Sequence, residues 1–284
     1  MSVPFQSPAP DHENPARALA GICAGGRGHG DHPAGVGRNN GFATTALPQG
    51  WPSLPRRMVE GLFIAGTVVT LIYSPWGLRS GAHYNPTVTL TFLMLGRVTW
   101  VDAVFYVLFQ FVGAVIGIGL AGLVLGPLLR EPPVRWIVTQ PGVYGTAVAF
   151  AAEAVISFLV MEVILVSGGL PGLHRYTGVL VGIMIFTFIC IESPISGFSM
   201  NPARTFGSAI ASGHWMAFWV YVFAPPMGML TAAMLNRTMT ALPSANCAKL
   251  VHSPLYPCIH CGMQPQHEAS CLKQVRCHHR EVAL

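Results

Sequence analysis

The sequence predicts an all-α membrane protein with five full transmembrane helices and two shorter helices that start inside the bilayer. Three observations carry this prediction. First, 52% of the 284 residues are hydrophobic and only 10% are charged, against about 25% charged in ordinary soluble domains. Second, several apolar runs approach the roughly 20 residues needed to cross a hydrocarbon core. Third, two polar interruptions share one frame. "SGAHYNPTVTLT" begins at Ser80 and "SGFSMNPARTFG" begins at Ser196. Each reads Ser-Gly, three residues, then Asn-Pro.

Residues 1–56 are rich in Gly, Pro, Ala and His, hold no apolar run long enough to span, and are expected to be disordered. The first span is Met58–Pro75. A short helical segment, Asn85–Leu95, follows, and then a span over Val101–Leu125. A Pro-rich loop leads to the third span, Thr146–Val166, and the fourth is Gly178–Ile191. The second short segment is Asn201–Ala211. A last span covers Trp215–Leu235. Residues 57–235 therefore form the membrane domain, and residues 236–284 form a polar Cys/His-rich tail.

The two short segments explain their own motifs. Proline is tolerated at the first helical position because that N–H has no partner in any case. Asparagine just before it is a good N-cap. Asn85-Pro86 and Asn201-Pro202 therefore both read as helix starts. Each helix is too short to span, so each must start within the membrane, where broken backbone survives only inside protein or beside a water-filled cavity. Matching interruptions in two halves predict an inverted repeat with its site at the midplane. Two N-termini facing each other concentrate positive potential there.

With Arg204 after the second Asn-Pro and Ser-Gly before both, the chain resembles the aquaporin, or major intrinsic protein, family over about Met58 to Leu235. The resemblance implies an aquaporin-like bundle of tilted helices with two re-entrant half-helices, set in the lipid bilayer and assembled as a homotetramer. It implies a passive channel for water and small neutral solutes that excludes protons and ions, in a plasma (inner) membrane, with no cofactor and no nucleic-acid partner. By resemblance, Asn85 and Asn201 are the donors at the pore centre, and Pro86 and Pro202 start the half-helices. The outer constriction is Arg204, Phe198, Ile189 and either Ala65 or Ile64. Phe198 and Ile189 are of the glycerol-channel type. Thr205, Ala209, Phe218 and Trp219 match the water type, and water is favoured.

Two departures from the family pattern stand out. The first motif is Asn-Pro-Thr, and Thr87 adds bulk where the family has alanine, which would narrow the pore centre. The family also has six full helices, whereas five are read here, because residues 1–56 do not supply the first. A non-conducting, truncated relative is therefore an alternative, as is a glycerol facilitator. Five spans would also put the termini on opposite sides, while Arg56 and Arg57 pull the start of the first span inward.

The remaining polar residues carry competing readings. Glu153 is expected to accept backbone hydrogen bonds near the second half-helix, with proton relay as the rival role. Glu60 is expected to face headgroups, and Glu162 to lie near the far interface. His83 either lines the pore or packs within its loop. Gln110, Gly113, Gly117 and Gly119 suggest close helix contact. Few polar groups lie at the midplane, which disfavours a coupled transporter. No nucleophile, base and orienting group share an element, which excludes an enzyme. In the tail, Cys258-Ile-His-Cys261 has metal-ligand spacing with Cys247, His252, Cys271, Cys277, His278 and His279 nearby. One such pair is weak evidence, since structural zinc sites use four ligands in two pairs. A flexible tail without metal is the expectation.

Overall fold

The computed structural model describes residues 53–130, 135–239, 244–245, 247–253, 255–256, 258 and 260–261. The disorder expected for the N-terminal segment falls on residues 1–52, outside the described residues. Its last four positions are helical instead. Helix α1 runs Ser53–Tyr73 and is followed by the short α2, Pro75–Ser80. The first half-helix, α3, is Pro86–Met94. Helix α4 spans Trp100–Leu125 and a single turn, α5, spans Pro127–Arg130. Then come α6, Gly145–Gly169, and α7, Thr177–Ile191, which a 3-10 turn at His174–Tyr176 extends at its start. The short α8 is Ser193–Ser196, the second half-helix α9 is Pro202–Ser212, and α10 is Phe218–Thr238. No strand occurs among the described residues.

Four of these helices, α4, α6, α7 with its 3-10 extension, and α10, are long and apolar enough to cross a membrane. Helix α1 has the length, with 21 residues, but opens on Arg56, Arg57 and Glu60. Glu60 does not face headgroups: it is buried, at 2% exposure. The repeat is visible in the order of elements. A short helix, a half-helix and a long helix follow α1 in the first half, and the same series follows α6 and α7 in the second.

Three helix pairs dominate the packing, and the second and third of them join the two halves of the repeat. α6 crosses α10, α1 lies along α7, and α4 holds α9. Glycine permits the first and third crossings. A Cβ on Gly228 would sit 2.0 Å from the Ala154 carbonyl oxygen, and one on Gly207 would sit 2.8 Å from that of Ala114. The glycines expected to make such contacts in α4 do not. Gly113, Gly117 and Gly119 have no neighbour within 4 Å of a built Cβ, because that face of α4 borders open space. The main core gathers α1, α3, α6, α7 and α10, with Phe92, Met161, Leu165 and Ile189 almost fully enclosed.

The beginning of the tail is part of this core rather than a flexible appendage. Ala245, Ala248, Leu250 and Val251 are buried in it. The Ala245 N–H donates to Leu165 O at 2.9 Å and the Leu250 N–H to Gly81 O at 3.3 Å. Its few apolar residues are enough to cap the bundle end, which the Cys/His-rich composition concealed.

Candidate pore and the two half-helix starts

Both polar motifs fold the same way. α2 ends on Gly81 and α8 ends on Gly197, each with a left-handed backbone, at φ 89° and 88°. This explains the shared Ser-Gly: each short helix must stop and turn sharply, and glycine does so without steric cost. Three residues later the chain reaches an extended asparagine, and the half-helix starts at the proline.

Each asparagine caps its own helix. Asn85 Oδ1 accepts from the Thr87 N–H at 2.9 Å. Asn201 Oδ1 accepts from the N–H groups of Ala203 and Arg204 at 3.1 and 3.3 Å. Each side-chain amide then reaches across to the other half. Asn85 Nδ2 donates to Met200 O at 2.7 Å, and Asn201 Nδ2 donates to Tyr84 O at 2.8 Å. An amide NH2 has two hydrogens, so one on each side chain is committed to this cross-link; of the two asparagines, Asn201 lines the cavity described next and Asn85 does not.

The loop before Asn201 is held in an unusual backbone. Phe198 and Met200 have φ of 53° and 54°, a region uncommon for residues other than glycine. Glu153, fully buried on α6, holds it. Its carboxylate accepts from the Ser196 hydroxyl at 2.6 Å, the Ser199 N–H at 2.7 Å and the Met200 N–H at 2.7 Å. Tyr221 on α10 donates its hydroxyl proton to Ser196 O. The matching loop before Asn85 is held by α4. Gln110 Nε2 donates to His83 O and to Thr89 Oγ1, and the Tyr106 hydroxyl donates to Ser80 O.

A cavity of about 930 Å³ runs past these loops. His83, Tyr84, Asn201, Arg204 and Phe198 line it, with Ile64, Thr67 and Val68 of α1 on one wall and Phe105 to Ala121 of α4 on the other. Arg204 also donates to the Thr139 hydroxyl, a partner that no motif in the sequence announces. His83 both lines the cavity and packs: it stacks on Phe92 at 5.1 Å and its Nε2 lies 2.7 Å from Ala248 O.

Two expected filter residues lie elsewhere. Ala65 and Ile189 are buried, at 7% and 2% exposure, in the seam between α1 and α7, and neither is among the residues lining the cavity. The reason is the close approach of those helices at Gly61, Gly178 and Gly182, which turns Ala65 towards α7 and leaves Ile64 facing the cavity. Thr87 does not narrow the centre either. It is fully buried away from the cavity, and its hydroxyl has no hydrogen-bond partner among the described residues.

In the tail, four side chains converge. The ligand atoms of Cys247, His252, Cys258 and Cys261 lie within 4.8 Å of one another. Cys271, Cys277, His278 and His279 lie outside the described residues.

Two half-helices starting nose to nose on Asn-Pro inside an apolar helical bundle define an aquaporin-type fold. The chain belongs to the major intrinsic protein family, whose family model matches residues 53–236. It is 36% identical to a probable NIP-type aquaporin of Nicotiana alata over 171 residues, 60% of this chain and 62% of that protein. It is 37% identical to a putative aquaporin, NIP4-1, of Arabidopsis thaliana over 169 residues, 59% of this chain and 58% of that protein. The chain thus spans about three fifths of the length of these relatives. The X-ray structure of the Plasmodium falciparum aquaglyceroporin superposes with a TM-score of 0.59 at 18% identity, over 80% of this chain and 93% of that one. That likeness is one of fold. Family and apolar helices together make this an integral, multi-pass membrane protein, of a family of channels and not of enzymes.

Proposed function

We propose that the protein is a passive channel for water and small neutral solutes. The observation that carries this reading is the reciprocal link between Asn85 and Asn201 beside a cavity that also holds Arg204 and Phe198. A water oxygen in the cavity accepts from the spare N–H of Asn201, which lines it, while Asn85 holds the opposite loop. The N-terminal ends of α3 and α9 add positive potential at the same point, and Arg204 adds a full charge in the first turn of α9. As in aquaporin-type pores generally, such a centre opposes cations and protons while admitting neutral solutes.

Arg204 and Phe198 form the narrow outer part in this reading, with Thr139 fixing the guanidinium and Ile64 taking the wall position opposite. The aromatic and the apolar wall favour glycerol-sized neutral solutes as a second cargo. Assembly as a homotetramer in the plasma membrane completes the proposal on the pattern of the family.

A second reading, a relative that does not conduct, has its own support. α1 and α4 face each other across the cavity, each packed mainly on other partners, and Phe105 and Phe109 of α4 are 54% and 66% exposed. Stopped-flow light scattering on proteoliposomes separates the two. Fast shrinkage in a sucrose gradient that is lost in Asn201→Asp and in Arg204→Glu, both still monodisperse, supports the channel. Shrinkage equal to that of empty liposomes overturns it. A glycerol gradient then reads the second cargo.

A further inference from the structure

We propose that Cys247, His252, Cys258 and Cys261 form a tetrahedral site for a zinc ion that fastens the beginning of the tail to the bundle. The argument starts from distance. Cys247 Sγ lies 3.4 Å from Cys258 Sγ, and Cys261 Sγ lies 3.5 Å from His252 Nε2. All four ligand atoms fall within 4.8 Å of one another. Tetrahedral zinc with Zn–S of about 2.3 Å and Zn–N of about 2.0–2.1 Å has ligand-to-ligand edges of about 3.8 Å for S–S and about 3.6 Å for S–N. The four atoms already stand close to the corners of that figure.

The spacing agrees once the cluster is known. Cys258 and Cys261 form one short pair. Cys247 and His252 form another, separated by four residues. Two short pairs are the usual construction of a structural zinc site, and the second pair is invisible without the fold because a Cys…His pair has no signature of its own. Three thiols and one imidazole select zinc over hard cations. The Lys249 N–H lies 3.5 Å from Cys247 Sγ, a backbone donor aimed at the sulfur. Cys247 and Cys258 are buried, His252 is half-buried and Cys261 is exposed, so the site is closed on the protein side and reachable from outside.

The fold also explains what the ion does. Residues 244 to 261 contain no helix or strand among those described, so little local structure holds them. They nevertheless make specific contacts. Arg97 Nη2 donates to Ser244 Oγ at 2.9 Å, Ala248 O meets His83, and the Arg79 guanidinium lies 4.8 Å from the centre of the Tyr256 ring. His260, between the two paired cysteines, is not a ligand. Its ring stacks on His83 at 6.1 Å. Binding an ion to a segment that has no helix or strand of its own adds directly to the stability of its folded arrangement. Here that contribution holds a segment against the loop that leads to Asn85.

The test uses the full chain purified in detergent from zinc-supplemented cells and kept reduced. Elemental analysis after dialysis is expected to give about one zinc per chain, and cobalt exchange is expected to give the intense visible bands of a tetrahedral, thiolate-rich site. Cys258→Ser with Cys261→Ser is expected to lose both signals. His252→Cys, which supplies a fourth thiolate, is expected to keep zinc and move the cobalt bands. Cys190→Ser and the pair Cys271→Ser with Cys277→Ser are expected to change neither. Cys261→Ser alone, at an exposed position, guards against misfolding and is expected to lose its zinc to a chelator that leaves the wild-type site loaded. Three results overturn the proposal: background metal in the wild-type chain, metal content indifferent to Cys258 and Cys261, or a Cys247–Cys258 disulfide in protein shielded from air.

Discussion

Asn85 and Asn201 each donate a hydrogen bond to the carbonyl just before the other, at Met200 and Tyr84 respectively. The two half-helices are therefore tied start to start by a symmetric pair of bonds, and each asparagine has two separable duties. Its oxygen caps its own helix and its nitrogen holds the opposite loop.

Substitution separates these duties. Asn85→Asp keeps the cap acceptor but removes the donor to Met200 O, leaving that carbonyl unpaired beside a second acceptor. The expected loss is about 1–3 kcal/mol. Asn85→Ala removes the cap as well, at a further ~1 kcal/mol. Thermal unfolding in detergent should rank wild type above Asn85→Asp above Asn85→Ala. Equal melting of the two variants would mean that the cap contributes nothing.

Glu153 is the largest polar anchor of the second loop, with two backbone N–H donors and one hydroxyl on its carboxylate. Glu153→Ala leaves Ser199 and Met200 N–H buried without their acceptor, and is expected to cost about 3 kcal/mol or more. Glu153→Gln keeps one acceptor oxygen but presents its NH2 to a donor, and is expected to fall between. A melting temperature for Glu153→Ala within error of wild type would remove Glu153 from this role.

Helix crossings should respond to added methyl groups according to the space at each glycine. Gly228→Ala places a Cβ against the Ala154 carbonyl, so α6 and α10 must separate, at about 1–3 kcal/mol or more. Gly117→Ala meets no neighbour within 4 Å and is expected to stay within about 0.5 kcal/mol of wild type. Gel filtration after stepwise heating compares them directly. The reverse order would contradict the packing described.

Thr87 buries a hydroxyl with no partner among the described residues. Thr87→Val keeps its shape and removes the unpaired group, so it is expected to stabilise the fold by about 1 kcal/mol. A rise in melting temperature checks this. A clear fall would show that the hydroxyl has a partner such as an ordered water.

Arg204→Ala removes a charge from the cavity and its bond to Thr139. If Arg204 forms the narrow part of a pore, glycerol entry into proteoliposomes should rise while water flux persists. Unchanged glycerol entry would place the size limit elsewhere.

The sequence by itself determined the helices and their special starts. Apolar runs mark α4, α6, α7 and α10 to within a few residues, because lipid-spanning segments must be long and nearly free of charge. Asn-Pro marks the starts of α3 and α9, because capping and the missing proline N–H are local chemistry. Arg204 and Phe198 are singled out by the resemblance of the second motif to the family, and both line the cavity. Which face each residue turns was decided only by tertiary packing. Ala65 and Ile189 went into the α1–α7 seam because glycines let those helices close together, and Gly113 and Gly117 border the cavity because α4 packs with its other side. Glu60 is buried although it stands near a helix start. The tail is the clearest case: Cys247 and His252 become neighbours of Cys258 and Cys261 only when the chain turns back on the bundle, and a linear pattern of cysteines and histidines does not say which of them will meet.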